Sequence, residues 1–304
     1  MNLHHDKEIF REFIAGAANE LHIPVGVIEK DYFVTLILKE LSSKLKDIVF
    51  KGGTSLTKCY QLLDRFSEDI DISYSAESGI PGDARKKQLK KAVVATIESL
   101  EFTINNLDQT RSKRHYNCYR ANYPSIYNES LFLKPELVVE TYVALLPFPT
   151  TTKMVDNYLY RFLKKINALH TAKQYNLMPF PITTQSIERT FIDKVYALCD
   201  YYLENKIDRH SRHLYDIHKI YTQLEIPTDF SKLVSDVRTV RSKLPICPSA
   251  KMHISINALL TEIINQNIYK KDYENITEGL LFKPLPYEEA IASLKTIIAA
   301  DIFY

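Results

Sequence analysis

Lys51-Gly-Gly-Thr-Ser-Leu56, followed by Ser67-Glu-Asp-Ile-Asp71, is the stretch on which the reading of this chain turns. Asp47-Ile-Val-Phe50 reads as a short buried strand running into the glycines. Gly52 and Gly53 let a backbone approach a phosphate closely, and with only 7 glycines in the chain the pair stands out. From Ser55 to Leu63 the spacing is helical, with Leu56, Cys59, Tyr60 and Leu63 on one face. A helix starting just after two glycines aims its free N–H groups and positive dipole end at an anion. Asp69 and Asp71 then alternate with Ile70 and Ile72. Strand residues two apart share a side, so both carboxylates face out together while the isoleucines pack inward. Such a pair can hold Mg²⁺, a hard cation that often shares its coordination with substrate phosphates, and a second metal ion would complete the clamp. Alone, a Gly-Gly is a turn and an Asp-x-Asp an exposed strand edge. In the order strand, glycine turn, helix, acidic strand they form the pattern that phosphoryl transfer from a nucleotide needs.

These residues, Gly52-Gly53-Thr54 with Asp69-Ile70-Asp71, resemble the nucleotidyltransferase superfamily typified by polymerase beta. Five strings narrow the resemblance: Glu29-Lys-Asp-Tyr32, Phe50-Lys-Gly-Gly-Thr-Ser-Leu56, Arg65-Phe-Ser-Glu-Asp-Ile-Asp71, Asp193-Lys-Val-Tyr-Ala-Leu198 and Arg212-His-Leu-Tyr-Asp216. Together, over residues from about 29 to 220, they are similar to the AbiEii/AbiGii family. Those are nucleotidyltransferase toxins of abortive-infection and related toxin–antitoxin systems. The resemblance implies an α+β polymerase-beta-like core, a small mixed sheet with flanking helices, followed by a helical C-terminal domain.

Composition agrees with a globular protein: 304 residues, 45% hydrophobic and 25% charged, enough for one large or two modest domains. A net charge of +2 gives no bulk argument for nucleic-acid binding, which must come from local patches. Cys59, Cys118, Cys199 and Cys247 show no CxxC spacing and read as reduced thiols rather than a zinc site. Met1 to Lys7 is polar, with no export signal, and no apolar run approaches the roughly 20 residues of a membrane span. The expectation is a cytoplasmic protein without membrane association.

Along the chain, residues 6–46 read as two helices separated by Pro24. Residues 83–100 form a helix with Leu89, Val93, Ile97 and Leu100 inward and Lys86, Lys87, Lys90 and Lys91 outward. Residues 101–146 read as strands, most clearly Glu136 to Val143. Residues 147–185 lose pattern, with Pro147, Pro149, Pro179 and Pro181 as breakers. The domain boundary is drawn there: 1–180 as core with N-terminal helices, 181–304 as helical domain. Helices are expected over 186–205, 211–224, 229–242, 252–266 and 286–300.

Several positions carry chemistry in this frame. Glu140 is the candidate third carboxylate, as general base on an attacking hydroxyl or as a further metal ligand; Glu136 shares its strand face and competes. On spacing alone Lys194 is a solvated helix charge, and Arg212 and Asp216 are a surface pair. The resemblance implies otherwise. Lys194 becomes the lysine that meets the nucleotide triphosphate, Asp216 an active-site aspartate, and Arg209 or Arg212, on the same helix face, a phosphate contact. Thr54, Ser55 and Ser67 could donate to phosphate, Ser67 also being open to a polar loop role, and Lys51 reads as supporting. Arg114, Tyr116 and Arg120 fall on one strand face and, with Lys86, Lys87 and Lys90, form the best local patch for RNA; a solvated basic hairpin is the plainer alternative.

The resulting expectation is a Mg²⁺-dependent enzyme that moves an NMP from an NTP and releases pyrophosphate. The resemblance adds an RNA acceptor, with a tRNA 3′ end first, a block of translation, and a cognate antitoxin. A protein hydroxyl or a small molecule is the alternative acceptor. A catalytically idle binding module on the same fold is the alternative outside enzymology.

Overall fold

The computed structural model describes residues 2–67, 69–75, 82–127 and 134–303. Glu68 of the acidic stretch and residues 128–133 of the strand region lie outside the described residues. The chain forms two compact units: residues 1–61 with 67–184, and residues 62–66 with 185–304. Residues 62–66 therefore belong to the second unit, although they lie between the glycine turn and the acidic strand in sequence.

The first unit begins with α1 (Lys7–Leu21) and α2 (Val25–Lys44). Asp6 caps α1 by accepting from Ile9 N–H, and His22 ends it in the left-handed region at φ 55°. Next come β1 (Ile48–Lys51), α3 (Gly52–Lys58), β2 (Ile70–Tyr74) and α4 (Gly82–Ser99). They are followed by β3 (Thr103–Ile104), β4 (Tyr116–Asn122), β5 (Glu136–Tyr142), β6 (Thr150–Val155), α5 (Tyr158–Lys165), α6 (Leu169–Gln174) and β7 (Phe180–Gln185). The strands make one mixed sheet in the order β3-β4-β5-β2-β1-β7-β6. β2 pairs antiparallel with β1 and parallel with β5, and β5 pairs antiparallel with β4. Val49, Phe50, Ile70, Ile72, Leu137 and Val139 are fully or almost fully buried in this sheet. On α2, Phe33 anchors an aromatic cluster with Phe10, Phe102 and Tyr123.

The proline-rich stretch 147–185 holds two strands and two helices where the sequence shows no clear period. Short elements of six to eight residues give too few repeats for periodicity to register.

The second unit contains α7 (Ile187–Leu203), α8 (Arg212–Tyr221), α9 (Phe230–Arg241), α10 (Ile256–Gln266), α11 (Lys270–Asp272) and α12 (Tyr287–Ala299). The five longer helices fall where the 3.6-residue period put them. Phe191, Val195 and Leu198 of α7, Leu214 and Ile217 of α8, and Leu294 and Ile297 of α12 are fully buried. A buried polar network ties α7 to α9. Arg241 donates to Asp193 at 2.9 Å and to Asp200 at 2.7 Å, and Asp200 also accepts from Ser249. Among the described residues no helix is long and apolar enough to cross a membrane.

Candidate active site

In the first unit the sheet register builds the site. Lys51 on β1 stands opposite Asp71 on β2, Asp71 opposite Glu140 on β5, and Glu140 opposite Cys118 on β4. Side chains at paired positions share a face, so this row crosses four strands on one side of the sheet. Asp69 lies one residue before β2, and it and Asp71 are partly exposed while Ile70 and Ile72 are 0% exposed. The aspartates thus face outward together. Glu136 instead pairs with Asn122 in register and forms an ion pair with Arg120 at 2.6 Å. Of the two glutamates left open by the sequence, Glu140 is the one beside Asp71.

Gly52 is required by this arrangement. It takes φ +78°, and a Cβ there would lie 1.9 Å from Asp71 Oδ2. The glycine is needed for the aspartate's space as well as for the backbone turn. Two carboxylates on neighbouring strands at paired positions repel each other, and such a pair is unfavourable unless a cation sits against it.

The helix after the glycines differs from expectation. It begins at Gly52 itself and ends at Lys58, so Cys59, Tyr60 and Leu63 are not helical. Gln61 takes φ 54°, and the chain then leaves for the second unit at Leu62. Lys58 at its end is buried and bound to Asp31 Oδ1 at 2.6 Å and Thr35 Oγ1 at 2.6 Å, which fastens α3 to α2. A two-turn helix offers little dipole, so the anion argument from its N-terminus loses its force. Thr54 and Ser55 are buried; Thr54 Oγ1 meets Ser67 Oγ at 2.9 Å, and Ser55 donates to the Gly52 carbonyl at 2.8 Å. These three hydroxyls hold the turn's shape in the structure described.

The basic patch expected for RNA is largely used internally. Arg114 lies before β4 and outside it, so it does not share the strand face of Tyr116 and Arg120. Arg114 donates to the Gln109 carbonyl at 3.2 Å, Lys86 to the Lys113 carbonyl at 3.3 Å, and Lys90 to the Thr110 carbonyl at 3.0 Å. Lys86 and Lys90 hold the loop 107–114 against α4 and are only partly exposed, while the Arg114 bond lies within the loop; Lys87 remains exposed. Arg120 neutralises Glu136, and the Tyr116 hydroxyl donates to Glu140 Oε1 at 2.8 Å.

In the second unit, Asp216 on α8 is 0% exposed. Its Oδ1 accepts from Arg65 Nε at 2.7 Å and its Oδ2 from Arg65 Nη2 at 2.8 Å, a bidentate pair. Lys194 Nζ on α7 reaches Oδ2 at 2.7 Å. Burial by itself would raise the Asp216 carboxyl, but the charges of Arg65 and Lys194 outweigh it and hold it well below the usual carboxylate range. Burial pushes Lys194 down, and the Asp216 charge opposes that shift. Neither sequence alternative of a solvated lysine and an Arg212–Asp216 surface pair describes these residues, because α7 is buried on nearly all sides. Arg209 does not share a helix face with Asp216: it takes φ 66° before α8 begins at Arg212. The Asp272 carboxylate occupies that helix end, accepting from Arg209 N–H at 2.7 Å and Ser211 N–H at 3.0 Å.

Arg65 received no role from the sequence. It reaches Asp216 because residues 62–66 are built into the second unit: Arg65 bridges Leu281, Phe66 N–H donates to Leu280, and Phe282 N–H to Asp64. A partner 151 residues away leaves no periodic trace. Among the described residues no group of three or more His, Cys, Asp or Glu side chains forms a ready metal cage.

A family model described as the AbiEii nucleotidyl transferase toxin of type IV toxin–antitoxin systems matches residues 36–295. Among solved structures, MenT4, a nucleotidyltransferase toxin from Mycobacterium tuberculosis H37Rv, is similar at TM-score 0.50 and 16% identity, over 94% of this chain and 88% of that one. That likeness is one of fold. No curated protein matches the chain.

Proposed function

The chain belongs to the AbiEii family of nucleotidyltransferase toxins of type IV toxin–antitoxin systems, and on that premise we propose that it transfers an NMP from an NTP to an RNA hydroxyl, at a tRNA 3′ end, and so blocks translation. Family membership brings with it an NTP substrate and a cognate antitoxin. The observation that carries the reading is the row Lys51, Asp71, Glu140 on one sheet face, with Gly52 leaving no room for a Cβ beside Asp71.

Mg²⁺ fits the donor set. Asp69 and Asp71 supply hard oxygen ligands, and Mg²⁺ characteristically takes one or two carboxylates and fills its remaining positions with water and substrate phosphate. When bound it would neutralise the phosphate charge and polarise the α-phosphoryl group. Glu140, the carboxylate next in the row, takes the proton of the acceptor hydroxyl. The acceptor oxygen bonds to the α-phosphorus, the bond from that phosphorus to the oxygen bridging to the β-phosphate breaks, and pyrophosphate leaves. Lys51, opposite Asp71, offers a positive charge on the same face. The resemblance assigns Lys194 to the triphosphate; its ammonium, with Arg65 beside it, gives a surplus of positive charge over Asp216. In this arrangement Asp216 orients the lysine and does not itself hold metal.

The test is incubation of the protein with Mg²⁺, bulk tRNA and each α-labelled NTP in turn, beside the Asp69→Asn and Asp71→Asn variants. Label on tRNA from the wild type alone supports the reading and names the base. NTP turnover without label on tRNA moves the acceptor to a protein hydroxyl or a small molecule.

A further inference from the structure

We propose that Tyr116 is a positioning residue for the transfer reaction, aiming the Glu140 carboxylate at the acceptor hydroxyl. The inference rests on the assignment of Glu140 as general base above and goes beyond it.

A glutamate on an open sheet face has three side-chain torsions to order before one oxygen can meet a proton. The Tyr116 hydroxyl fixes one oxygen, donating to Oε1 at 2.8 Å, and so leaves the second oxygen to the acceptor. Tyr116 reaches it diagonally across the hairpin, since Tyr116 stands opposite Tyr142 and Cys118 opposite Glu140.

The kind of donor matters. Glu136, four residues along the same strand, is held by Arg120 in an ion pair at 2.6 Å, so a full positive charge already sits on it. Glu140 is held by a neutral phenol, which orients the group without neutralising it. Burial raises the Tyr116 phenol well above its ordinary range, and the Glu140 charge adds to the effect, so Tyr116 is the donor and Glu140 the acceptor. Tyr116 is 46% exposed, so its ring is not a core anchor.

The test uses Tyr116→Phe, Glu140→Gln and the double variant of the full chain, read by pyrophosphate release from NTP with and without bulk tRNA. Reading both conditions keeps the assay informative whether RNA, another hydroxyl or water accepts. We expect Tyr116→Phe to lower turnover about 10-fold, a fraction of the 10²–10⁴-fold that a general base contributes. The KM for NTP and the melting temperature stay at wild-type values. In the Glu140→Gln background the Tyr116→Phe change has no further effect, because it acts only through Glu140.

Wild-type turnover in Tyr116→Phe overturns the proposal, as does an equal loss in the Glu140→Gln background. Wild-type turnover in Glu140→Gln overturns both the proposal and the base assignment. Asp69→Asn and Asp71→Asn then report separately whether the site itself is correctly placed. If Tyr116→Phe is neutral while Tyr116→Ala raises the KM for tRNA, the ring is an RNA contact and not a positioning device.

Discussion

Gly52 lies against the carboxylate of Asp71 so closely that the Cβ of any other residue would fall 1.9 Å from Oδ2 and 2.7 Å from Cγ. The glycine turn and the acidic strand, separate motifs in the sequence, are therefore one steric unit. Gly52→Ala must either rotate Asp71 or shift the turn, at a backbone position with φ +78° where alanine costs roughly 1–2 kcal/mol. We expect modest destabilisation and a loss of nucleotidyl transfer of about 100-fold, as a displacement of about 1 Å at a reacting centre produces. Pyrophosphate release and thermal melting of the same preparation measure the two effects side by side. An active Gly52→Ala protein would refute the steric coupling.

Asp71→Asn separates chemistry from stability. Asp71 faces Glu140 on one side and Lys51 on the other, so removing its charge relieves one repulsion and forfeits one attraction. The melting temperature should move by about 2 °C or less, while transfer falls by at least about 100-fold through loss of a metal ligand. Loss of both fold and activity would show the carboxylate to be structural.

The Arg65–Asp216 pair makes the opposite prediction. Arg65 is 2% exposed and Asp216 0%. Arg65→Ala leaves a buried carboxylate whose remaining ion-pair partner among the described residues is Lys194, and should destabilise the protein by about 3–5 kcal/mol. Arg65→Lys should rescue little, since a lysine cannot supply the bidentate fork. Lys194→Ala leaves that fork intact, so it should cost less stability than Arg65→Ala and weaken NTP binding. Urea midpoints for the three variants, with NTP titrations, decide the ranking.

His4 gives the first unit a pH dependence. Burial, with the neighbouring His5 charge, lowers His4 to about 4, and its Nδ1 lies 2.8 Å from the Tyr32 hydroxyl. The unfolded chain binds this proton near pH 6.5 and the folded one does not. Stability is therefore full above about pH 6.5 and declines as pH falls towards 4, by about 2 kcal/mol after allowance for solvent screening. Urea unfolding at pH 7 and pH 4.5 should show a smaller acid loss for His4→Gln than for the wild type. Equal losses would place the acid sensitivity elsewhere.

Some of the molecule is written in local sequence and some is not. The outward pairing of Asp69 and Asp71 follows from strand alternation with Ile70 and Ile72, and the five longer helices of the second unit follow from their 3.6-residue period. Both depend only on backbone geometry over a few residues, so they survive without knowledge of the fold. The choice between Glu140 and Glu136 does not. It depends on the register of β5 against β2, and a strand's own residues do not state which residue of another strand they will face. Basic residues around 86–120 look like a surface patch in sequence, yet loop carbonyls and Glu136 take up several of them.

What the sequence by itself determined is the chemistry on offer: a glycine turn, a carboxylate pair, a strand-rich first part and a helical second part, each set by short-range backbone preference. Only the tertiary structure decided which groups work together. It set Glu140 beside Asp71, put the Tyr116 hydroxyl on Glu140, and brought Arg65 across 151 residues to Asp216. Those pairings exist because packing closes long loops and buries charge, and a buried charge is tolerable only when its partner is delivered to it.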